Sequence, residues 1–446
     1  MRSFLLLLAA GLVSVQAAGF QVPRYMLSPG TKLWYTGESE TKDPRGASHS
    51  SRLREHWVLS DSGGVFRVLL RVVDQEYKTD TAGKRTDEPA ETGWELFEMA
   101  PDGKLLRDQS TVNIDVSALF PPLPADSAAA VSGWKLVDTS SSARYVYSYR
   151  LDNKSLSDSL WIVDRTTSTS FDIVYGVPTV EERMVIDTRR GLPLRRESRS
   201  ADTTWKSESK GSIRLDSVTK YDAASLQPRF RDLIGYFDVK RAYEQEADKT
   251  DPEDTNDVAG RRALALLQDA LQRTQDSTVI GLLNEDIKQH EQASEYRLAR
   301  ARGRLQQLGK PAPAWRLSDL DGKKHSLKDY RGKVLVLDWW YKDCPWCILA
   351  MPALTAVAKS YADRPVAILG MNVDADTNDA RFAVEKCKPG YPSLSAGKEL
   401  ARKYGVTGYP TLFIVDKQGK IADVHVGYAR DLAARLSKKL DALLGP

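Results

Sequence analysis

The sequence predicts a multidomain protein: an N-terminal antiparallel β-rich domain, sandwich or half-barrel, then a helical linker, then a C-terminal α/β domain. Three observations carry this. The chain has 446 residues, too many for one ordinary core when domains run to ~100–200 residues. Short segments rich in β-branched and aromatic residues recur between turn signals through the first half. Past residue 309 a nearly continuous apolar strand leads directly into Cys344-Pro345-Trp346-Cys347 and a helical pattern.

At the N-terminus, Arg2 precedes the apolar run Phe4 to Val15, and Val15-Gln16-Ala17 is a small-residue pattern that signal peptidase can cut. Residues 1–17 therefore read as a signal peptide, and the protein as exported to the periplasm or cell envelope. The run is shorter than the ~20 residues that span a bilayer, and no cysteine follows it for lipid attachment. With 41% hydrophobic and 28% charged residues, the rest has a soluble globular composition. The net charge of +4 is dispersed, without a basic stripe, which argues against nucleic acid as a partner.

Residues 20–240 are assigned to the β-rich domain. Thr31–Thr36, Val65–Val73, Arg144–Tyr149 and Arg183–Ile186 read as strands, separated by turns such as Asp61-Ser62-Gly63-Gly64, Pro101-Asp102-Gly103 and Arg190-Gly191-Leu192-Pro193. The β pattern runs to about Tyr236, interrupted at Phe120-Pro121-Pro122-Leu123-Pro124. His49 and His56 lack partners at ligand spacing and read as ordinary surface or strand residues. No polar constellation marks a site, so the domain reads as a scaffold or docking module ahead of a lipid or peptide binder.

Residues 241–308 form the linker. The acidic stretch Asp248 to Asp257 lacks the glycine and terminal glutamate of a calcium loop and reads as solvated chain. Leu264, Leu267 and Leu271, then Ile280, Leu283 and Ile287, recur at helical spacing. This predicts a hairpin, or one helix broken near Asp276-Ser277, serving as a spacer or in dimerisation.

Residues 309–446 make the third domain. The chain has three cysteines, too few for a disulfide framework, and two stand three positions apart, so the pair reads as chemistry. A single Cys-x-x-Cys, without a second pair, favours redox use over zinc. With Cys344 at a helix N-cap and Pro345 in the first turn, free N–H groups and the helix dipole favour a thiolate at Cys344. Cys347 then lies one turn on, more sheltered, which predicts an exposed nucleophile and a buried resolving thiol. Asp338 is the misfit of the apolar strand. Burial would raise its pKa and suit it to take a proton from Cys347; the alternative places it at a wet sheet edge. Cys387 reads as an incidental half-buried thiol rather than a second resolving one.

Residues 309–446 resemble the thioredoxin superfamily, and within it the TlpA/ResA-like, redoxin or AhpC-TSA-type thiol-disulfide oxidoreductases that act outside the bacterial cytoplasm. The matching text is Gly309-Lys310-Pro311-Ala312-Pro313, Asp319-Leu320-Asp321-Gly322, Ser326 to Val334, the Cys-Pro-Trp-Cys site, Met351-Pro352, Asn372-Val373-Asp374 and Tyr404 to Thr411. The resemblance implies a thioredoxin fold, Cys344 as attacking and Cys347 as resolving cysteine, Asp338 in the place of the buried acid, and Pro410 as the cis-proline facing the pair. It implies a helix kinked at Pro352, and substrate contacts from Trp346, Tyr409 and Pro410. Two positions depart from the pattern: Ala350 stands where a Glu is usual, and Asp343 where an aromatic is common. The charge of Asp343 would oppose a thiolate at Cys344 and Lys342 would assist it.

The expected function is thus an exported thiol-disulfide oxidoreductase that reduces protein disulfides, needing no cofactor or metal and drawing electrons from a separate protein donor, since no flavin or nicotinamide fingerprint is present. The alternatives are a disulfide oxidase or isomerase, and a non-catalytic envelope binding protein with a docking domain. Peroxiredoxin chemistry is disfavoured, because Leu337 and Tyr341 hold positions where it would need Pro and Thr or Ser.

Overall fold

The computed structural model describes residues 22–110, 119–138, 145–152, 159–169, 179–202, 206–250, 254–429 and 431–445. The expected signal peptide lies outside the described residues.

Among the described residues twelve strands make one antiparallel sheet: β1 (Thr31–Asp43), β2 (Gly46–Ser62), β3 (Val65–Asp80), β4 (Arg85–Asp87), β5 (Glu91–Met99), β6 (Leu105–Ser110), β7 (Trp134–Asp138), β8 (Tyr145–Leu151), β9 (Leu160–Thr169), β10 (Thr179–Asp187), β11 (Leu192–Asp202) and β12 (Ser207–Lys220). The short helix α1 (Ser127–Ser132) precedes β7. The strand order is β6-β5-β3-β2-β1-β12-β11-β10-β9-β8-β7, with β4 paired to β3. Two meanders therefore meet where β1 pairs with β12, Thr31 opposite Lys220. The turn between β2 and β3 is Gly63-Gly64, both at positive φ, as a two-residue hairpin turn of this twist requires.

The sandwich branch of the expectation is corrected, since this is a single continuous sheet. Val68 and Phe97 from one meander share a cluster with Val163 and Met184 from the other, and Phe120 packs there too. A sheet that brings both halves onto one inner core is curled, as in a half-barrel.

The expectation that β structure runs to about Tyr236 is also corrected. After β12 the chain is helical: α2 (Ala223–Arg229), α3 (Arg231–Ala247), α4 (Val258–Arg273) and α5 (Ser277–Gln307). Leu226, Leu233, Ile234 and Phe237 recur at helical spacing and pack on Trp57, Leu59, Leu69 and Leu96, on the outer face of the sheet. Burial of that stripe outweighs the strand preference of the local aromatics. Across the break α4 and α5 pack on each other, and α3 packs on α4 as a third helix. The break falls where expected: Asp276 caps α5, accepting from the N–H groups of Thr278 and Val279 at 2.9 and 3.0 Å. The acidic stretch is not solvated to its end, because Asp257 is buried and accepts from Arg297 at 2.9 Å and from the hydroxyl of Ser294.

The C-terminal unit is a five-stranded sheet in the order β17 (Ser393–Ser395), β16 (Val366–Asn372), β15 (Val334–Trp340), β18 (Thr411–Val415), β19 (Ile421–Val426). The β15-β16-β17 half is parallel, and the β15-β18-β19 half antiparallel. A hairpin of β13 (Arg316–Ser318) and β14 (Lys324–Ser326) precedes it. Every residue of β15 is buried. Val334 and Val336 face α6 (Pro345–Ser360) and α9 (Leu432–Leu444), while Leu335, Leu337 and Trp339 pack with Ala401 and Tyr404 of α8 (Gly397–Tyr404). The helix α7 (Thr377–Cys387) follows β16. Among the described residues no helix is long and apolar enough to cross a membrane.

Candidate active site

The site forms at the C-terminal end of β15. Beyond a short loop, Cys344 takes the N-cap of α6 in extended conformation with Pro345 in the first helical turn. Its sulfur accepts from the N–H of Cys347 at 3.2 Å, so the free donors of the helix start point at the sulfur that would carry charge. Cys344 and Cys347 are joined in a disulfide. The expected contrast in exposure is corrected for this state: Cys344 is 2% exposed and Cys347 1%. Leu320, Trp340, Ile348 and Met351 pack around both, and Tyr341 and Tyr409 close the cluster with rings edge to face at 5.2 Å.

The loop before Cys344 is held from the neighbouring strand. Asp374 accepts from the backbone N–H of Lys342 at 2.9 Å and from the Asn372 side chain at 2.7 Å, which gives the Asn372-Val373-Asp374 motif a positioning task. Lys342, expected to assist a thiolate at Cys344, has carboxylate partners. Its ammonium pairs with Asp379 at 2.9 Å and lies 3.7 Å from Asp343.

Asp338 is buried in β15, which removes the wet-edge alternative. Strand alternation puts it on the face of Val336 and Trp340, the side on which α6 packs. Burial pushes its carboxyl up to about 7, partly opposed by a hydrogen bond from the Tyr391 hydroxyl at 3.0 Å. Its other oxygen has no partner among the described residues. A carboxyl that loses its proton near neutrality in a dry site is suited to accept one from a nearby thiol. Sequence reasoning misses Tyr391; the one cue to it is its place between the turn residues Gly390 and Pro392.

The Tyr409-Pro410 peptide is cis. The Pro410 carbonyl accepts from Gly427 N–H at 2.7 Å, and Thr411 closes the turn by donating to the Gly408 carbonyl at 2.6 Å. Trp346 is 46% exposed and stacks on Tyr428 at 6.2 Å, a neighbour that sequence reasoning also misses. Pro352 lies within α6, and Ala350 is packed against Val334, Val336 and Leu354. Cys387 ends α7 half-buried, and burial pushes its thiol up, away from the reactive thiolate form.

A model of the AhpC/TSA family matches residues 308–424. The chain is 35% identical over 124 residues to the thioredoxin-like protein YneN of Bacillus subtilis, covering 27% of this chain and 72% of that protein. It is 33% identical over 116 residues to the thiol-disulfide oxidoreductase ResA of Bacillus thuringiensis subsp. konkukian, covering 26% and 67%. Among solved structures, a thiol:disulfide interchange protein of the thioredoxin family from Chlorobium tepidum is 28% identical, covering 30% of this chain and 97% of that one at a TM-score of 0.28. The family model begins only at residue 308, after the half-barrel and the helical segment.

Proposed function

The chain belongs to the thioredoxin-like thiol-disulfide oxidoreductases of the AhpC/TSA family, and on that premise we propose that it is an exported reductase of protein disulfides working through Cys344 and Cys347. The observation that carries the reading is the bridged pair at the start of α6, on the same side of the sheet as the buried Asp338.

In the reducing direction the Cys344 thiolate attacks one sulfur of a substrate disulfide. The substrate S–S bond breaks, a mixed disulfide forms, and the first substrate sulfur leaves as a thiolate that takes a proton from water. Cys347 gives its proton to Asp338 and attacks the Cys344 sulfur, releasing the second substrate thiolate. Two electrons have passed to the substrate, and the enzyme holds the Cys344–Cys347 disulfide. A separate protein dithiol returns it to the reduced form. Trp346, in the first turn of α6, Tyr409, packed in the cluster around the cysteines, and the cis Pro410 beside it serve as the substrate contacts in this reading. The leader-like N-terminus supports action in the periplasm or envelope.

Trapping tests this directly. A Cys347→Ala variant should accumulate mixed disulfides on Cys344 with identifiable protein partners, and failure to trap any overturns the enzyme role. The direction is read from the reduction potential. A value near the ~−270 mV of thioredoxin supports a reductase, whereas one near the ~−120 mV oxidising extreme makes it an oxidase.

A further inference from the structure

The long helix α5 runs from the half-barrel to the rim of the dithiol site. At its start Val279 and Leu283 join the cluster that α3, through Tyr236 and Phe237, shares with Trp57 and Leu69 of the sheet. At its end Arg304 donates to Asp423 at 2.7 and 3.0 Å, and Arg300 donates to the Val426 carbonyl on β19. A 31-residue helix spans about 45 Å, so one rigid element joins both units.

That anchoring sets the turn before Arg300 beside the loops around the cysteines. The Tyr296 hydroxyl lies 3.5 Å from where a Cβ on Gly408 would stand, and Arg300 Nη2 lies 3.8 Å from the equivalent point on Gly427. Gly408 immediately precedes the cis Tyr409-Pro410 peptide, and Gly427 precedes Tyr428, the ring on which Trp346 stacks. The two glycines make a floor without side chains. Trp346 stacks on the residue that follows Gly427, and Tyr296 beside Gly408 is 51% exposed and has the Arg300 guanidinium 5.3 Å from its ring. Exposed aromatics that border a reactive site are the side chains that most often anchor a bound polypeptide.

We propose that Tyr296 and Arg300 form one wall of the substrate groove, so that the helical segment of this chain selects extended polypeptides carrying an apolar or aromatic side chain beside the reacting cysteine. This rests on the thiol-disulfide exchange reading above. It adds a specificity element from outside residues 308–424, the part shared with the family.

The test compares two disulfides with the full chain, pre-reduced and freed of reductant: insulin as a polypeptide, and bis(2-hydroxyethyl) disulfide as a substrate too small to reach the wall. In Tyr296→Ala the ratio of the single-turnover second-order rate constants for insulin and the small disulfide should fall about tenfold, mainly through weaker half-saturation by insulin, with a smaller fall in Arg300→Ala. Tyr296→Phe, which keeps the ring, should restore the ratio. The wall is overturned if the ratio stays constant in both alanine variants, whether the two rates hold or fall together. If the unmodified chain exchanges with neither disulfide, the exchange reading falls and the wall with it.

Discussion

Two buried carboxylates, one in each half of the molecule, meet opposite fates. Glu182 in the half-barrel is 4% exposed and pairs with both Arg165 and Arg196 across neighbouring strands. Lys32 and Glu55 form a second buried pair on the same sheet. Asp338 is as deeply buried, yet the group that meets it is the neutral hydroxyl of Tyr391, and its carboxyl moves up to about 7. Charge matched by charge holds strands in register, whereas an acid denied a cation becomes a group that exchanges its proton near neutrality. A neighbouring cation is what separates the two carboxylates.

Breaking each side should give different readouts. The largest effect is at the cysteines: Cys344→Ala should lower disulfide exchange at least about 1000-fold, measured as turnover of a protein disulfide. In the half-barrel, Glu182→Ala takes the shared carboxylate from the buried Arg165 and the half-buried Arg196. It should cost about 3–5 kcal/mol in denaturant unfolding, and a loss below about 1 kcal/mol would show the pair to be solvated.

Asp338→Asn should do the reverse for stability. The folded-state pKa of Asp338 lies above its ordinary value, so its favourable contribution is complete in acid and is lost as pH rises through about 7. The Asn variant should therefore match the parent near pH 3 and exceed it at pH 8 by a few kcal/mol. Each pH unit separating the folded and unfolded pKa values contributes on the order of 1.4 kcal/mol. Its Cys347 resolution step should slow about 100-fold, measured in single turnover on a preformed mixed disulfide. The smallest change is expected for Tyr391→Phe. Losing the hydroxyl that steadies the Asp338 carboxylate moves the pH midpoint of the resolution step upward. A downward move would mean that Tyr391 acts otherwise than through this hydrogen bond.

Much of the C-terminal unit is legible in the sequence because its signals are local. The apolar run of β15, Pro345 following an N-cap cysteine, and the Gly-Tyr-Pro-Thr text before β18 each specify their conformation over a few residues. The end of the β domain is not legible in this way, because Tyr236 and Phe237 suit a strand or a helix; only the outer face of the sheet, with Trp57 and Leu69, decides between them. Adjacency in sequence assigns Lys342 to Cys344, but Asp379 on α7 claims it.

The closely spaced cysteines, their helix-start setting and the strand that carries Asp338 are readable from the sequence, since strand period and capping chemistry act within a few residues, whereas the burial of Asp338 against a wet-edge alternative is not. Only the tertiary structure decided that both cysteines are covered in the bridged state, that Tyr391 holds Asp338, and that α5 reaches Gly408 and Gly427. These depend on contacts between segments tens to more than a hundred residues apart. Such contacts form only when burial has brought the elements together, and no spacing along the chain encodes them directly.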